Sequence, residues 1–222
     1  MTITPAKLTR LAGFAALIAG LLYMFVQIIH PHEDVTQVVT TAWTVTHILT
    51  LLMAVFLVVG ITGIYLRQVR EMGLLGFIGY LLFATWSLVV MSWTFVEAFV
   101  LPELADEAPR YVNDGLALFT GGEVGGSLGA LTAVNPISGV TYMFGALIFG
   151  IALYRAGVLA RWAALLLASG TFAALATAVL PHSLDRLAAF PVGVALVGLG
   201  YSLIRDQRAP ESVSTLAFAG AR

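Results

Sequence analysis

The sequence predicts an all-α, polytopic membrane protein. Six transmembrane helices are arranged as three hairpins, both termini are cytoplasmic, and one long outer loop joins the third helix to the fourth. Three observations predict this. Of the 222 residues, 59% are hydrophobic and 10% are charged, where an ordinary soluble domain has about 45–50% and about 25%. The mean hydropathy is +0.95, and so few charges cannot cover a water-exposed surface of this size. Apolar runs near the roughly 20 residues that cross a bilayer as helix recur along the chain, and the basic residues collect at alternate ends of those runs.

The first run, residues 11–29, follows Lys7 and Arg10 and is longer than the apolar core of a secretory signal. It leads into His30-Pro31-His32-Glu33-Asp34 without a small-residue cleavage pattern, so it is read as a retained helix. The second covers 45–66 and stops at Arg67. The third, 74–100, exceeds what a span requires and implies tilt or extension past the headgroups. Pro136 precedes the fourth, 137–154, at a position where a missing N–H costs little. The fifth is 159–180, and the sixth, 187–204, carries Pro191 in its first turns. Residues 1–206 thus form one six-helix domain, and 207–222 are expected to be a disordered cytoplasmic tail.

Most connections are short, but residues 101–135 far exceed the median connection of about 4–6 residues. The middle of this segment, 121–129, is glycine-dense and largely apolar. Backbone exposed to hydrocarbon must find its hydrogen bonds within the protein. An outer cap containing a short helix near 111–119 meets that demand.

Lys and Arg near span ends stay cytoplasmic. With the N-terminus inside, nine of the eleven basic residues are cytoplasmic, and only Arg110 and Arg186 lie outside. Eight of the twelve acids are external, and one, Glu97, falls within a span. The formal net charge of -1 is therefore the sum of a basic face and an acidic face. It also leaves no Lys/Arg run of the kind nucleic-acid binding needs, so nucleic acid is excluded as a partner.

Three outer-end segments align: Ile29-His-Pro-His-Glu-Asp34, Val100-Leu-Pro-Glu-Leu-Ala-Asp106 and Val179-Leu-Pro-His-Ser-Leu-Asp185. The inner ends Gly63-Ile-Tyr-Leu-Arg67, Ala152-Leu-Tyr-Arg155 and Gly200-Tyr-Ser-Leu-Ile-Arg205 also echo one another. Two accounts stay open. One is a triplicated hairpin, which would make His32, Glu103 and His182 equivalent. The other is common boundary chemistry, with proline ending helices and Tyr-Arg anchoring interfaces.

Zero cysteines exclude disulfides, thiolate chemistry and Cys-bound metal. All four histidines, His30, His32, His47 and His182, fall toward the outer side under this topology. His47 lies about one turn into the second helix, and Glu97 lies about one turn from the end of the third. An ionisable group within a span is costly and turns toward a partner or a wet cavity, so His47 and Glu97 are the leading candidate pair. Trp43 and Trp93 are the accompanying candidate ligand-binding residues. The candidate metal ligands are His32, His47, Glu97 and His182, drawn from separate helices because no local metal-binding spacing occurs. The sequence names no cofactor.

The preferred functional reading is binding of a small apolar or amphipathic ligand in an outer-leaflet pocket with a His/Glu polar end. A metal- or haem-dependent membrane enzyme at the same cluster, and a structural or accessory subunit of a membrane complex, are the alternatives. The expected partners are the lipid bilayer, a small-molecule or lipid ligand, and a second copy or another membrane-complex subunit. The central thirds of the spans are nearly all apolar, which disfavours a coupled transporter, and no polar stripe marks a channel. The layout, opening on Arg10-Leu-Ala-Gly13 and continuing as short-looped spans, resembles small bacterial six-helix inner-membrane proteins grouped as domains of unknown function. That resemblance implies the inner membrane and transfers no catalytic residue.

Overall fold

A computed structural model describes residues 3–120, 122–176 and 186–206. Helices α1 (Pro5–Ile29), α2 (Thr41–Arg67) and α3 (Val69–Phe99) are followed by the short α4 (Leu101–Leu104) and by α5 (Pro109–Thr120). A 3-10 turn, Gly129–Ala133, then leads into α6 (Val134–Ala156). Next come α7 (Arg161–Ala176), a second 3-10 turn (Arg186–Ala189) and α8 (Phe190–Asp206). No strand occurs among the described residues. Five segments are long and apolar enough to cross a membrane: α1, α2, α3, and α6 and α8 each taken with its 3-10 turn. The described part of α7 has 16 residues. The last residues of the expected fifth span, 177–180, lie outside the described residues, as do His182 and the tail 207–222.

Local chemistry sets the helix ends. Thr4 caps α1 by accepting from the Lys7 N–H, and Pro5 opens the helix where no N–H is needed. Thr40 caps α2 in the same way through the Trp43 N–H. The third helix starts at Val69 rather than 74, but Gly73 breaks it with a left-handed φ of 56°, so the straight apolar part begins at the expected Leu74. The sixth expected span opens as a 3-10 turn because Pro191 has no N–H to give and can stand only at the start of α8. Gly157, at φ 66°, closes α6 and donates its N–H to Leu153 O.

The long helices pack as a ring in chain order, α1–α2–α3–α6–α7–α8, with α8 returning against α1. Hydrocarbon supplies no hydrophobic drive between helices, so close van der Waals approach must hold them. The sequence meets that need with glycine. A Cβ on Gly20 would stand 2.4 Å from Gly193 O, and one on Gly200 would stand 2.6 Å from Gly13 O. Two glycine pairs, each seven residues apart on its helix, thus bring α1 and α8 backbone to backbone. In the α3–α6 contact, a Cβ on Gly79 would stand 2.4 Å from Phe149 N, and one on Gly145 would stand 2.5 Å from Phe83 N. Large apolar side chains point the other way: Leu11, Leu21, Phe25, Leu52, Leu74 and Phe95 are exposed. That outward apolar surface suits lipid and not water.

Antiparallel packing gathers the basic ends. Lys7 and Arg10 at the start of α1 share one end of the ring with Arg67, which forms an ion pair of 2.6 Å with Asp206 at the end of α8. The opposite end carries α5, which packs on a small second core of Val38, Trp43, Leu101, Ala105, Val112 and Leu116. The expected short cap helix is therefore α5.

If backbone contact closes the ring, Gly20→Val should be strongly destabilising, by about 1–3 kcal/mol or more, as overpacking of a tight contact is. Gly139→Ala, where an added Cβ meets nothing within 4 Å, should be neutral or mildly stabilising. Thermal unfolding of both variants in one detergent checks the contrast.

Candidate functional site

At the capped end the ring opens into a cavity of about 1300 Å³. Each element contributes for a local reason. The first turns of α2 bring in His47, and the last turns of α3 bring in Trp93 and Glu97. The two helices are antiparallel, and the break at Gly73 takes up the extra residues of α3, so that His47 and Glu97 come level.

His47 is 1% exposed. Its Nδ1 stands 2.8 Å from Trp43 O. A carbonyl only accepts, so Nδ1 carries the proton, and in the neutral ring Nε2 is left as a lone pair. That Nε2 is buried without a hydrogen-bond partner, and Glu97 Oε2 lies 3.5 Å from it, too far for a good hydrogen bond. Trp43 acts a second time: its indole Nε1 donates to Glu97 O at 2.7 Å. The same residue therefore orients the imidazole with its carbonyl and ties the end of α3 with its ring. The Trp43 and His47 rings lie 4.1 Å apart. Trp93 Nε1 is also buried, and its N–H is directed at the Glu97 carboxyl, short of good hydrogen-bond geometry.

The mouth of the cavity is more polar. Arg186, just before α8, donates through Nη1 to His30 O and through Nη2 to Pro31 O at 3.1 Å. It also faces Glu33 at 3.9 Å, so one guanidinium clamps the α1–α2 connection to α8. The His30 ring lies 5.1 Å from that of His47. Burial holds the His30 imidazole below its ordinary pKa, and Arg186 pushes the same way. The hydrogen bond to Pro31 O and the nearby Glu33 carboxylate oppose them. Just outside, Asp34 accepts from the N–H and the hydroxyl of Thr36, both at 2.7 Å, which lowers its pKa and fixes the turn.

The walls and floor are aromatic. Phe119 of α5 stacks on Trp93 with centroids 5.1 Å apart, which seats the cap. Below, Trp86 meets Tyr23 of α1 at 5.9 Å and Tyr142 of α6 at 4.7 Å, and it stacks on Phe83. The glycine segment beyond α5 is held by buried Asp114, which accepts from Gly125 N at 2.8 Å, and by Arg110, which donates to Gly125 O.

The structure brings His47, Glu97 and Trp93 together on the cavity and places Trp43 directly behind His47. His32 lines the mouth. Glu103, on α4, is not part of the cavity lining, and His182 lies outside the described residues. Among the described residues no three His, Asp or Glu side chains group so as to hold a metal. Sequence reasoning missed Arg186, Tyr23, Phe119 and Asn135. Arg186 carried a usable signal as one of only two outer arginines, but nothing in a sequence pairs it with carbonyls 155 residues away. Comparison with family models, with curated proteins and with solved structures returns no match to this chain. Function is read from this site alone.

The lowered His30 pKa fixes the sign of a pH effect. A histidine held neutral stabilises the fold above its unfolded pKa of about 6.5, and that contribution is lost as pH falls through the lower folded value. The thermal midpoint should therefore fall on acidification below about pH 6.5, and His30→Asn should flatten that fall. Melting curves across this range, wild type against variant, check it.

Proposed function

We propose that this protein is a multi-pass protein of the bacterial inner membrane that binds a small apolar or amphipathic ligand in its outer cavity. Six crossings, with both termini cytoplasmic, follow if α7 spans like its neighbours. It takes its place in the ring between α6 and α8, and the basic ends of α1, α2, α6, α7 and α8 then share the cytoplasmic side.

One observation carries the binding reading: a cavity of about 1300 Å³ sets the His47 and Glu97 side chains beside Tyr23, Trp86, Trp93 and Phe119. Ligand sites are typically about 300–1,000 Å³, mostly apolar, with a few placed polar groups. This cavity is larger and more polar, with Gln27, Thr50, Thr94 and Ser138 also in its lining, and an amphiphile would use both its length and its polar groups. His47 and Glu97 stand at the polar end, and Trp86, Trp93 and Phe119 supply the walls. A purely structural pair would need no cavity beside it, and would be expected to satisfy its own polar atoms.

Tryptophan fluorescence tests the binding reading. Trp43, Trp86 and Trp93 lie in or against the cavity, whereas Trp162 opens α7 at the other end. Titration of the protein in nanodiscs with a single-chain amphiphile such as 4-nonylphenol should give a saturable change. Trp162→Phe should keep the change, and Trp86→Phe should reduce it while Trp93 still reports. A linear, non-saturating response overturns the reading, and a stoichiometric metal or a visible haem band in the purified protein would move it to the enzyme alternative. For topology, a reporter fused after Arg222 is expected to be active only in its cytoplasmic form, and periplasmic activity would overturn both-termini-in.

A further inference from the structure

No Asp or Glu occurs between Glu123 and Asp185, and Arg155 and Arg161 are the only Lys or Arg in that stretch. Helices α6 and α7 therefore bring two guanidiniums and no carboxylate to the basic end of the ring. Elsewhere at that end an arginine takes an acid within reach, as Arg67 takes Asp206 at 2.6 Å. Among the described residues Arg155 and Arg161 form no ion pair and no side-chain hydrogen bond, and both are exposed. Arginine keeps its charge in a protein, so a counterion must come from outside these two helices.

The α6–α7 turn holds the two arginines in place. Gly157 closes α6 without a side chain, and a Cβ there would stand 3.1 Å from Arg161 Nη2. The guanidinium thus lies over the turn, with its carbon 5.3 Å from the centre of the Tyr154 ring. Ser202 of α8 accepts from the Ala160 N–H at 3.0 Å. Trp162 is set against α8, where a Cβ on Gly198 would meet its Cη2 at 2.4 Å. Tyr154 and Trp162 are nevertheless 43% and 58% exposed. Two arginines flanked by two outward rings therefore sit on a turn that is tied to the neighbouring helix.

Depth decides the occupant. The segment Gly129–Ala156 is long and apolar enough to cross a membrane, which puts Arg155 and the turn after it at the level of the lipid head groups. Tyr and Trp settle at that level. The abundant anion there is phospholipid phosphate, which the planar fork of Arg meets with two parallel hydrogen bonds. A zwitterionic head group carries an ammonium that already balances its phosphate. An anionic head group brings the net negative charge that two unpaired arginines lack.

We infer that the α6–α7 turn is a binding site for an anionic phospholipid, its phosphate held by Arg155 and Arg161 and its acyl region lying beside Tyr154 and Trp162. The site is separate from the outer cavity and does not depend on what binds there.

Trp162 reports on this turn, because Trp43, Trp86 and Trp93 lie in or against the outer cavity. The full chain is reconstituted in phosphatidylcholine, and part of the lipid is replaced by phosphatidylglycerol or phosphatidylcholine with brominated acyl chains, which quench tryptophan on contact. Quenching that disappears in Trp162→Phe belongs to Trp162. Brominated phosphatidylglycerol should compete for the surroundings of Trp162 about fivefold or more better than brominated phosphatidylcholine, as one to two arginines near an anionic lipid surface provide. Arg155→Gln and Arg161→Gln should each lower that preference several-fold, and the double variant should abolish it. Arg10→Gln removes the same charge on α1, which stands opposite α6 in the ring, and should leave the preference largely unchanged. Equal quenching of the wild-type protein by the two brominated lipids overturns the inference, and that comparison needs no arginine variant to fold. A loss in Arg10→Gln as large as that in Arg161→Gln also overturns it, because the preference would then belong to the whole basic end.

Discussion

Ring closure rests on contact between the first and last long helices at Gly13, Gly20, Gly193 and Gly200, where backbone comes close to backbone and the side chains of Met24 and Ile204 fill in beside it. Everything at the outer end depends on that approach. In hydrocarbon a helix gains nothing by hiding an apolar side chain from lipid, so affinity between helices comes from how closely their surfaces fit. Gly79 and Gly145 against Phe149 and Phe83 repeat the solution across the bundle. With α8 drawn onto α1, Arg186 at the foot of α8 reaches the carbonyls of His30 and Pro31 and seals the mouth. Without it, that guanidinium would have to find other partners at the membrane surface.

The interior is then divided by depth. Toward the basic end, small residues and Leu, Ile and Phe fill the ring in one continuous core. Toward the capped end the helices carry Tyr, Trp and Thr, and the core gives way to a cavity. The aromatic floor marks the change: Tyr23, Trp86 and Tyr142 come from three different helices and meet across the bundle. Ionisable groups placed below that floor would have no cavity to face. His47 and Glu97 stand above it, where their cost is lowest.

Much of this was legible before any coordinates, because the strongest signals are local. Apolar runs gave the helices, Pro136 and Pro191 marked starts, and a turn of helix from each end placed His47 and Glu97 at like depth. The cap helix at Pro109–Thr120 was legible as the one ordered candidate in a long outer segment. What was not legible is convergence between distant positions. Arg186 reaches the α1–α2 connection, Tyr142 packs on Trp86, and Phe119 stacks on Trp93, and each requires knowing which helices are neighbours in the ring. Trp43 shows the same limit differently: the sequence marked it as a candidate wall of the pocket, and its actual place is behind the imidazole, holding it.

That placement of Trp43 bears on the energetics of occupancy. The gap between His47 and Glu97 is not set by their attraction for each other, since one is bound to the carbonyl and the other's backbone to the indole of a third residue. The two polar faces are held apart during folding, and the entropy of holding them is spent then. On the binding reading proposed above, a molecule seated beside the pair would meet groups already fixed and would lose little of its binding energy to ordering them.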